Sequence, residues 1–290
     1  MAVRELSSPP PLALLYPKAV GGAALPLVRR LPGIPDAAAE LPEDELLLRG
    51  AEIGERRLAE YCRVCTFQIR DVVPATYPHL LAFPLAMRLM TDGSFPFSVM
   101  GLVHIENRIE QLRPIRLSDR LDMRVGTADL RPHERGRQFD VVAEAEVGGE
   151  TVWRSTSTYL RRGGGDGGSS KGDGERPQPP EPDTTLSVAG DIGRRYAAVS
   201  GDRNPIHLHP LSARLFGMPK PIAHGMWLKA RCLALLEGTL PDAYEVSARF
   251  KLPLYIPGKV SFASRDGQFE VHDADNQKPH LSGVVSAHLG

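Results

Sequence analysis

Tyr196-Ala-Ala-Val-Ser-Gly-Asp-Arg-Asn-Pro-Ile-His207 is the stretch on which the reading of this chain turns. Upstream, Ile192, Tyr196 and Val199 fall on one face of a helix over 191–200, with Asp191 as the expected N-cap. Gly201 follows the apolar periodicity at the point where a helix ends on a left-handed residue. Pro205 fixes its own φ and pushes Asn204 out of the helical region, so the next turn is stiff. The fragment reads as a helix, a sharp stop, and a loop carrying a carboxylate, Asp202, and an imidazole, His207. Both can face one small site, as acid–base work requires. Asn204, between them, is placed to hydrogen-bond one of the pair and hold its orientation. An isolated Asp-x-x-x-x-His is more often a capping aspartate and a satisfied loop histidine. Ser200-Gly201 before it, Asn204-Pro205 within it and His224-Gly225-Met226 downstream tip the reading toward a site.

Outward from this stretch, the chain divides at Gly163-Gly-Gly-Asp-Gly-Gly-Ser-Ser-Lys-Gly-Asp-Gly-Glu-Arg-Pro-Gln-Pro-Pro-Glu-Pro182. Its glycine-rich half favours a flexible coil and its proline-rich half an extended spacer, and neither buries a core. The expected organisation is therefore 1–162, a linker over 163–182, and 183–290. The two parts read as diverged copies. Helices are expected over 55–67 and 78–91, then strands over 99–110, 120–128, 139–147 and 151–160. The second part repeats the order, with helices over 191–200 and 225–237 and strands over 244–252, 259–264, 268–273 and 281–288. Tyr61-x-x-Val-Cys65 echoes Tyr196-x-x-Val-Ser200, Ala82-Phe-Pro-Leu85 echoes Ala223-His-Gly-Met226, and Arg113-Pro-Ile115 echoes Leu252-Pro-Leu254.

Composition narrows the function classes. A content of 42% hydrophobic and 24% charged residues is that of a globular protein. The 35 basic and 35 acidic side chains cancel, so nucleic acid is not an expected partner. No apolar run is long enough for a membrane helix, and Leu12-Ala-Leu-Leu15 after three prolines is no secretory leader, which points to the cytoplasm. Three cysteines make no disulfide framework, and Cys62-Arg-Val-Cys65 reads as two small residues on an amphipathic helix. The 163–174 glycine run lacks the helix and Lys-Ser/Thr of a phosphate cradle.

The run Tyr196–His207 followed by Ala213, then Pro221-Ile-Ala-His-Gly-Met226, then Arg249-Phe-Lys-Leu-Pro253, resembles the MaoC-like hydratases and dehydratases. The first part, with Thr76-Tyr-Pro-His-Leu-Leu-Ala-Phe-Pro84 and Gly101-Leu-Val-His104, is similar to the non-catalytic leading half of two-domain members. The resemblance implies an α+β tandem (double) hotdog, each unit a curved antiparallel sheet around a central helix. It implies reversible dehydration of (R)-3-hydroxyacyl thioesters to trans-2-enoyl thioesters, carried on CoA or acyl carrier protein. Asp202 and His207 would then transfer the protons through a shared water. Gly225, at a helix start, would offer its N–H to the thioester oxyanion. His224 is expected to be structural, and Met226, Trp227 and Leu228 to be core. Carrying Asp202 and His207 back by 135 residues lands on Phe67 and Val72, and carrying Gly225 back by 141 lands on Pro84. One active site per chain is therefore expected, with the first unit lining an acyl tunnel for medium or long chains. No cofactor is needed, and His207-Leu-His209 with His224 is a weak metal pattern, so no metal is expected. A hotdog thioesterase and a non-catalytic acyl-thioester-binding subunit are the alternatives. The paired units already supply the contact that single units gain by dimerising, which leaves a monomer and a homodimer both open.

Overall fold

The computed structural model describes residues 2–19, 40–163 and 179–287. Most of the expected linker, residues 164–178, lies outside the described residues. Strands β1 (Val3–Leu6) and β2 (Glu45–Glu52) flank a helical segment α1, described over 12–19. Helices α2 (Glu55–Cys65) and α3 (Pro78–Met90) follow, then strands β3 (Leu102–Gln111), β4 (Arg120–His133), β5 (Gly136–Val147) and β6 (Glu150–Arg162). The second half has β7 (Thr184–Val188), α4 (Ile192–Ser200), a 3-10 turn at Pro205–His207, α5 (Pro210–Leu215) and α6 (Gly225–Leu236). It closes with β8 (Tyr244–Phe250), β9 (Gly258–Arg265), β10 (Gln268–Asp273) and β11 (Pro279–Ala287).

All eleven described strands join one sheet in the order β1-β2-β4-β5-β6-β3-β8-β11-β10-β9-β7. Every pairing is antiparallel except the edge pair β1–β2. Alternation explains the strands: in β5, Phe139, Val141, Ala143 and Ala145 are buried on one face. The two helices that open on Pro78 and Gly225 are apolar on nearly every side and lie buried, as the cores of the two units. The two halves meet where β3 pairs β8, Arg108 opposite Ser247. These two positions are 139 residues apart (247 − 108), the offset that relates Pro114 to Pro253, so a pseudo-twofold axis passes through this pair. Each half thus repeats helix, helix, four strands, and the whole is the tandem hotdog architecture expected.

Two details of the repeat are corrected. Helices α2 and α4 end on matched left-handed caps, Thr66 (φ 64°) and Gly201 (φ 83°), 135 residues apart. Beyond the caps the offset changes. Val72 bridges Arg116 and Ile222 bridges Tyr255, and Val73 N–H donates to Ile115 O just as Ala223 N–H donates to Leu254 O. Val72 is therefore the counterpart of Ile222, at an offset of 150 (222 − 72), and His207 has no counterpart. Between cap and bridge the second half carries 15 extra residues (150 − 135), which hold the 3-10 turn and α5. Nor is Pro84 the counterpart of Gly225: it lies buried within α3, whose first residue is Pro78. A proline does open the first-half helix and deprives it of an N–H there, but at Pro78. Asp191, finally, makes no side-chain cap bond and sits at φ −96°, ψ 0°.

Candidate active site

The loop after α4 is shaped by backbone geometry. Gly193 lets the 3-10 turn press on α4: a Cβ there would lie 2.0 Å from His207 O. Asn204 Oδ1 accepts from Ile206 N–H at 3.4 Å and caps the turn, while its own N–H donates to Asp202 Oδ1 at 3.1 Å. The side chain of Asn204 thus serves the turn, and its backbone holds Asp202. Asp202 Oδ1 also accepts from Tyr16 Oη at 3.3 Å. Oδ2 has no hydrogen-bond donor among the described residues, and the Asp202 side chain is 30% exposed, so water reaches it.

His207 is buried, and its Nδ1–H donates to Ile222 O at 2.7 Å. That bond selects the tautomer whose Nε2 carries the lone pair. His224 stacks on the His207 ring at a centroid distance of 3.6 Å, and its Nε2–H donates to Asp202 O at 3.0 Å. One ligand atom each of Asp202, His207 and His224 lie within 4.8 Å of one another. Each histidine donates one ring N–H to a carbonyl, which leaves Asp202 Oδ2, His207 Nε2 and the buried Nδ1 of His224 without a hydrogen-bond partner among the described residues. Asp202 Oδ2 and His207 Nε2 suit a shared water.

Burial pushes His224 down to about 3, with the neighbouring His207 adding to the effect. Burial also takes His207 below the ordinary imidazole value, against the pull of Asp202 and Ile222 O, so at neutral pH the ring is an uncharged base. Burial works against ionisation of Asp202. The imidazoles of His224 and His207, the Asn204 N–H and the Tyr16 hydroxyl more than offset it and hold the carboxyl below its usual range.

Gly225 is the first residue of α6, where backbone N–H groups have no partner within the helix. A Cβ at Gly225 would sit 2.9 Å from the Phe250 ring, so only glycine allows this approach. Met226, Trp227 and Leu228 are buried in the core, and Trp227 Nε1 reaches across to Val64 O of α2 at 3.1 Å.

The structure adds residues that the sequence reading did not single out for the site. His79 at the start of α3, His104 on β3 and Tyr159 on β6 all stand within electrostatic reach of Asp202. Burial lowers His79 to about 4 and His104 to about 3 and raises the Tyr159 phenol. His104 stacks on Tyr159 at 4.6 Å and lies 5.0 Å from Phe250. His79 and His104 lie in first-half stretches that carry the resemblance, and that was the available signal. Tyr16 lies 186 residues from Asp202 and gave none. Cys62 and Cys65 are free and buried, and burial pushes the Cys62 thiol up to about 11, as befits core residues.

Comparison with known proteins follows this geometry. The family model described as the MaoC like domain matches residues 174–277. The 3-hydroxyacyl-thioester dehydratase X of Mycobacterium tuberculosis is 37% identical over 268 residues, spanning 90% of this chain and 93% of that protein. A crystal structure of HtdX from the same bacterium superposes with a TM-score of 0.74 and 36% identity, over 84% of this chain and 99% of that one. The (R)-specific enoyl-CoA hydratase of Aeromonas caviae is 37% identical over 70 residues, 23% of this chain and 52% of its own. A conserved hypothetical protein of M. tuberculosis with a double hotdog fold superposes with a TM-score of 0.52 at 10% identity, over 82% of this chain and 92% of that one, a likeness of fold alone. With more than a third of residues identical over nearly the full length of both chains, and the family match centred on the half that bears Asp202, His207 and Gly225, the chain belongs to the MaoC-like dehydratase family and has the double hotdog fold.

Proposed function

We propose that the chain dehydrates (R)-3-hydroxyacyl thioesters to trans-2-enoyl thioesters and catalyses the reverse hydration, on CoA or acyl carrier protein thioesters. The observation that carries this reading is the pairing of an uncharged His207, with Nε2 open, and an ionised Asp202, with Oδ2 open, in one small space. In hydration a water held between them forms the C3–O bond. One of its protons stays on the new hydroxyl, polarised by His207, and the other passes through Asp202 to Cα. The electron pair of the double bond moves through the thioester enolate, whose oxygen is met by the N–H of Gly225 at the positive end of α6. Neither side chain changes protonation over the cycle. We assign catalysis to residues 183–290, a spacer role to 163–182 and a non-catalytic, substrate-lining role to 1–162. No cofactor is required. The free cysteines accord with a cytoplasmic setting, and no helix among the described residues is long and apolar enough to cross a membrane. A thioesterase would need a carboxylate on α6. That helix carries Lys229 and Arg231, and the next acid, Glu237, accepts from Gln68 N–H at the surface.

The test is hydration of trans-2-enoyl-CoA with analysis of product configuration. The (R)-3-hydroxy product is expected, and Asp202→Asn and His207→Asn should each lower kcat by about 100-fold or more, the scale of a lost acid–base group. Undiminished turnover in both folded variants, or an (S) product, would overturn the reading.

A further inference from the structure

The phenol of Tyr16 touches three consecutive residues of the catalytic loop. Its hydroxyl donates to Gly201 O at 3.0 Å and to Asp202 Oδ1 at 3.3 Å, and it accepts from Arg203 N–H. One proton serves two acceptors, so the bond is three-centred, shared between a carbonyl and the carboxylate. The side chain comes from α1, at the start of the chain, while the loop belongs to the second half. Two contacts hold α1 in place. Leu15 and Ala19, one turn apart, are buried in the core. Leu12, one turn before Tyr16, packs on Gly201, where a Cβ would meet its Cδ1. Gly201 is the left-handed cap of α4, and the carbonyls just before it are also held from the first half: Arg57 donates Nε to Val199 O at 2.8 Å and Nη2 to Ser200 O at 3.4 Å.

We propose that Tyr16 is a positioning residue of the active site, through which the N-terminal helix sets both the orientation and the acidity of Asp202. The inference rests on the role given to Asp202 above. With Oδ1 bound by Tyr16 and by Asn204 N–H, the carboxylate cannot rotate freely, and Oδ2 is the oxygen left facing His224, 3.8 Å from its Nε2. A hydrogen bond to the charged form favours that form. Burial and the adjacent Asp202 raise the Tyr16 phenol well above its ordinary value, so it remains a donor throughout the working range and never acts as a base. The second-half loop is thus complete only with the first α-helix of the chain in place. This division of labour gives the first half a direct part in the site.

The experiment compares Tyr16→Phe, Leu14→Ala and Asp202→Asn in the full-length protein, measuring kcat, KM and the pH dependence of kcat/KM with trans-2-enoyl-CoA. Leu14 lies on the same helix and is 66% exposed, so its replacement leaves the loop untouched. Tyr16→Phe keeps the ring and its packing and removes only the hydroxyl. It should lower kcat about three- to tenfold with KM little changed, and move the lower step of the acid limb of kcat/KM, where Asp202 takes its proton, upward by about half to one pH unit, the size of one lost hydrogen bond to a carboxylate. Leu14→Ala should match the parent. A Tyr16→Phe profile superimposable on the parent, or a loss of activity with the acid limb unmoved, would overturn the proposal. If Asp202→Asn stays active, it is the underlying assignment of Asp202 that fails.

Discussion

At the scale of single residues, the proposed site denies charge to its histidines and allows it to its carboxylate. His207 is pinned by Nδ1–H to Ile222 O and stacked on a second neutral ring, His224, so a proton on Nε2 would be buried beside another imidazole. Burial therefore lowers its pKa, and Asp202 only partly restores it. Asp202 is lowered too, with Asn204 N–H and Tyr16 Oη as donors to the ionised form. The signs agree: both groups hold their working protonation state, neutral imidazole and ionised carboxylate, down to a pH below the ordinary imidazole value of about 6.5. The expected kcat/KM profile is flat through neutrality, with an acid limb below pH 6.5 where protons reach His207 and then Asp202. An acid limb at or above that value would show that burial does not lower His207 as described.

At the scale of elements, the site exists because 15 extra residues between the α4 cap and the bridge at Ile222 fold back onto α4. The fold-back relies on Gly193, since any side chain there would strike His207 O. Gly193→Ala should move the 3-10 turn, cost about 1–3 kcal/mol of stability as overpacking does, and lower kcat through the displaced imidazole. A thermal midpoint and kcat equal to the parent's would contradict the packing described. The same segment shows what the sequence could and could not tell. Helix α4, its glycine stop and the Asn-Pro turn were legible because each is a local rule acting within a few residues. The strands were legible by alternation, apart from β1, β2 and β7, which lie at or next to the sheet edges. The repeat was legible at Tyr61 and Tyr196, before the extra segment, and again at Pro114 and Pro253, after it. Between those points, similarity of letters aligned Pro84 with Gly225, whereas the paired bridges place Val72 against Ile222. Matching letters carry no hydrogen-bond register, so an insertion in one copy hides there. Tyr16 was illegible for the same reason: its partners are fixed by tertiary packing alone.

At the scale of the whole molecule, the two halves are joined by a polar lock under the central strands. Lys229 of α6 is fully buried, and its ammonium donates to Asn107 Oδ1 at 2.6 Å, Asn107 O at 2.9 Å and Val246 O at 3.0 Å. Asn107 Nδ2 in turn donates to Ser155 Oγ and Ser157 Oγ, each at 3.0 Å. The lock thus ties the helix that opens on Gly225 to β8 beside it and to β3 and β6 of the other half. Burial works against the charge and takes Lys229 well below its ordinary pKa, with Glu245 and Glu106 opposing. An apolar substitute would be released from that penalty, yet it would remove the donor that Asn107 Oδ1, Asn107 O and Val246 O share. The second effect outweighs the first when only one partner is changed, because an unmet buried polar group costs more than a made hydrogen bond gains. Lys229→Met, which nearly conserves volume, should lower stability by about 2–4 kcal/mol, read as a lower denaturant midpoint. Asn107→Leu alone leaves the buried ammonium only its two backbone acceptors and takes the amide donor from Ser155 and Ser157, so it should lower stability as well. The double variant removes ammonium and amide together and should cost less than the two single changes added, with a coupling of about 1 kcal/mol or more. Strict additivity of the two changes would mean that the seam is held by its backbone ladder and apolar packing, with the lysine a passenger.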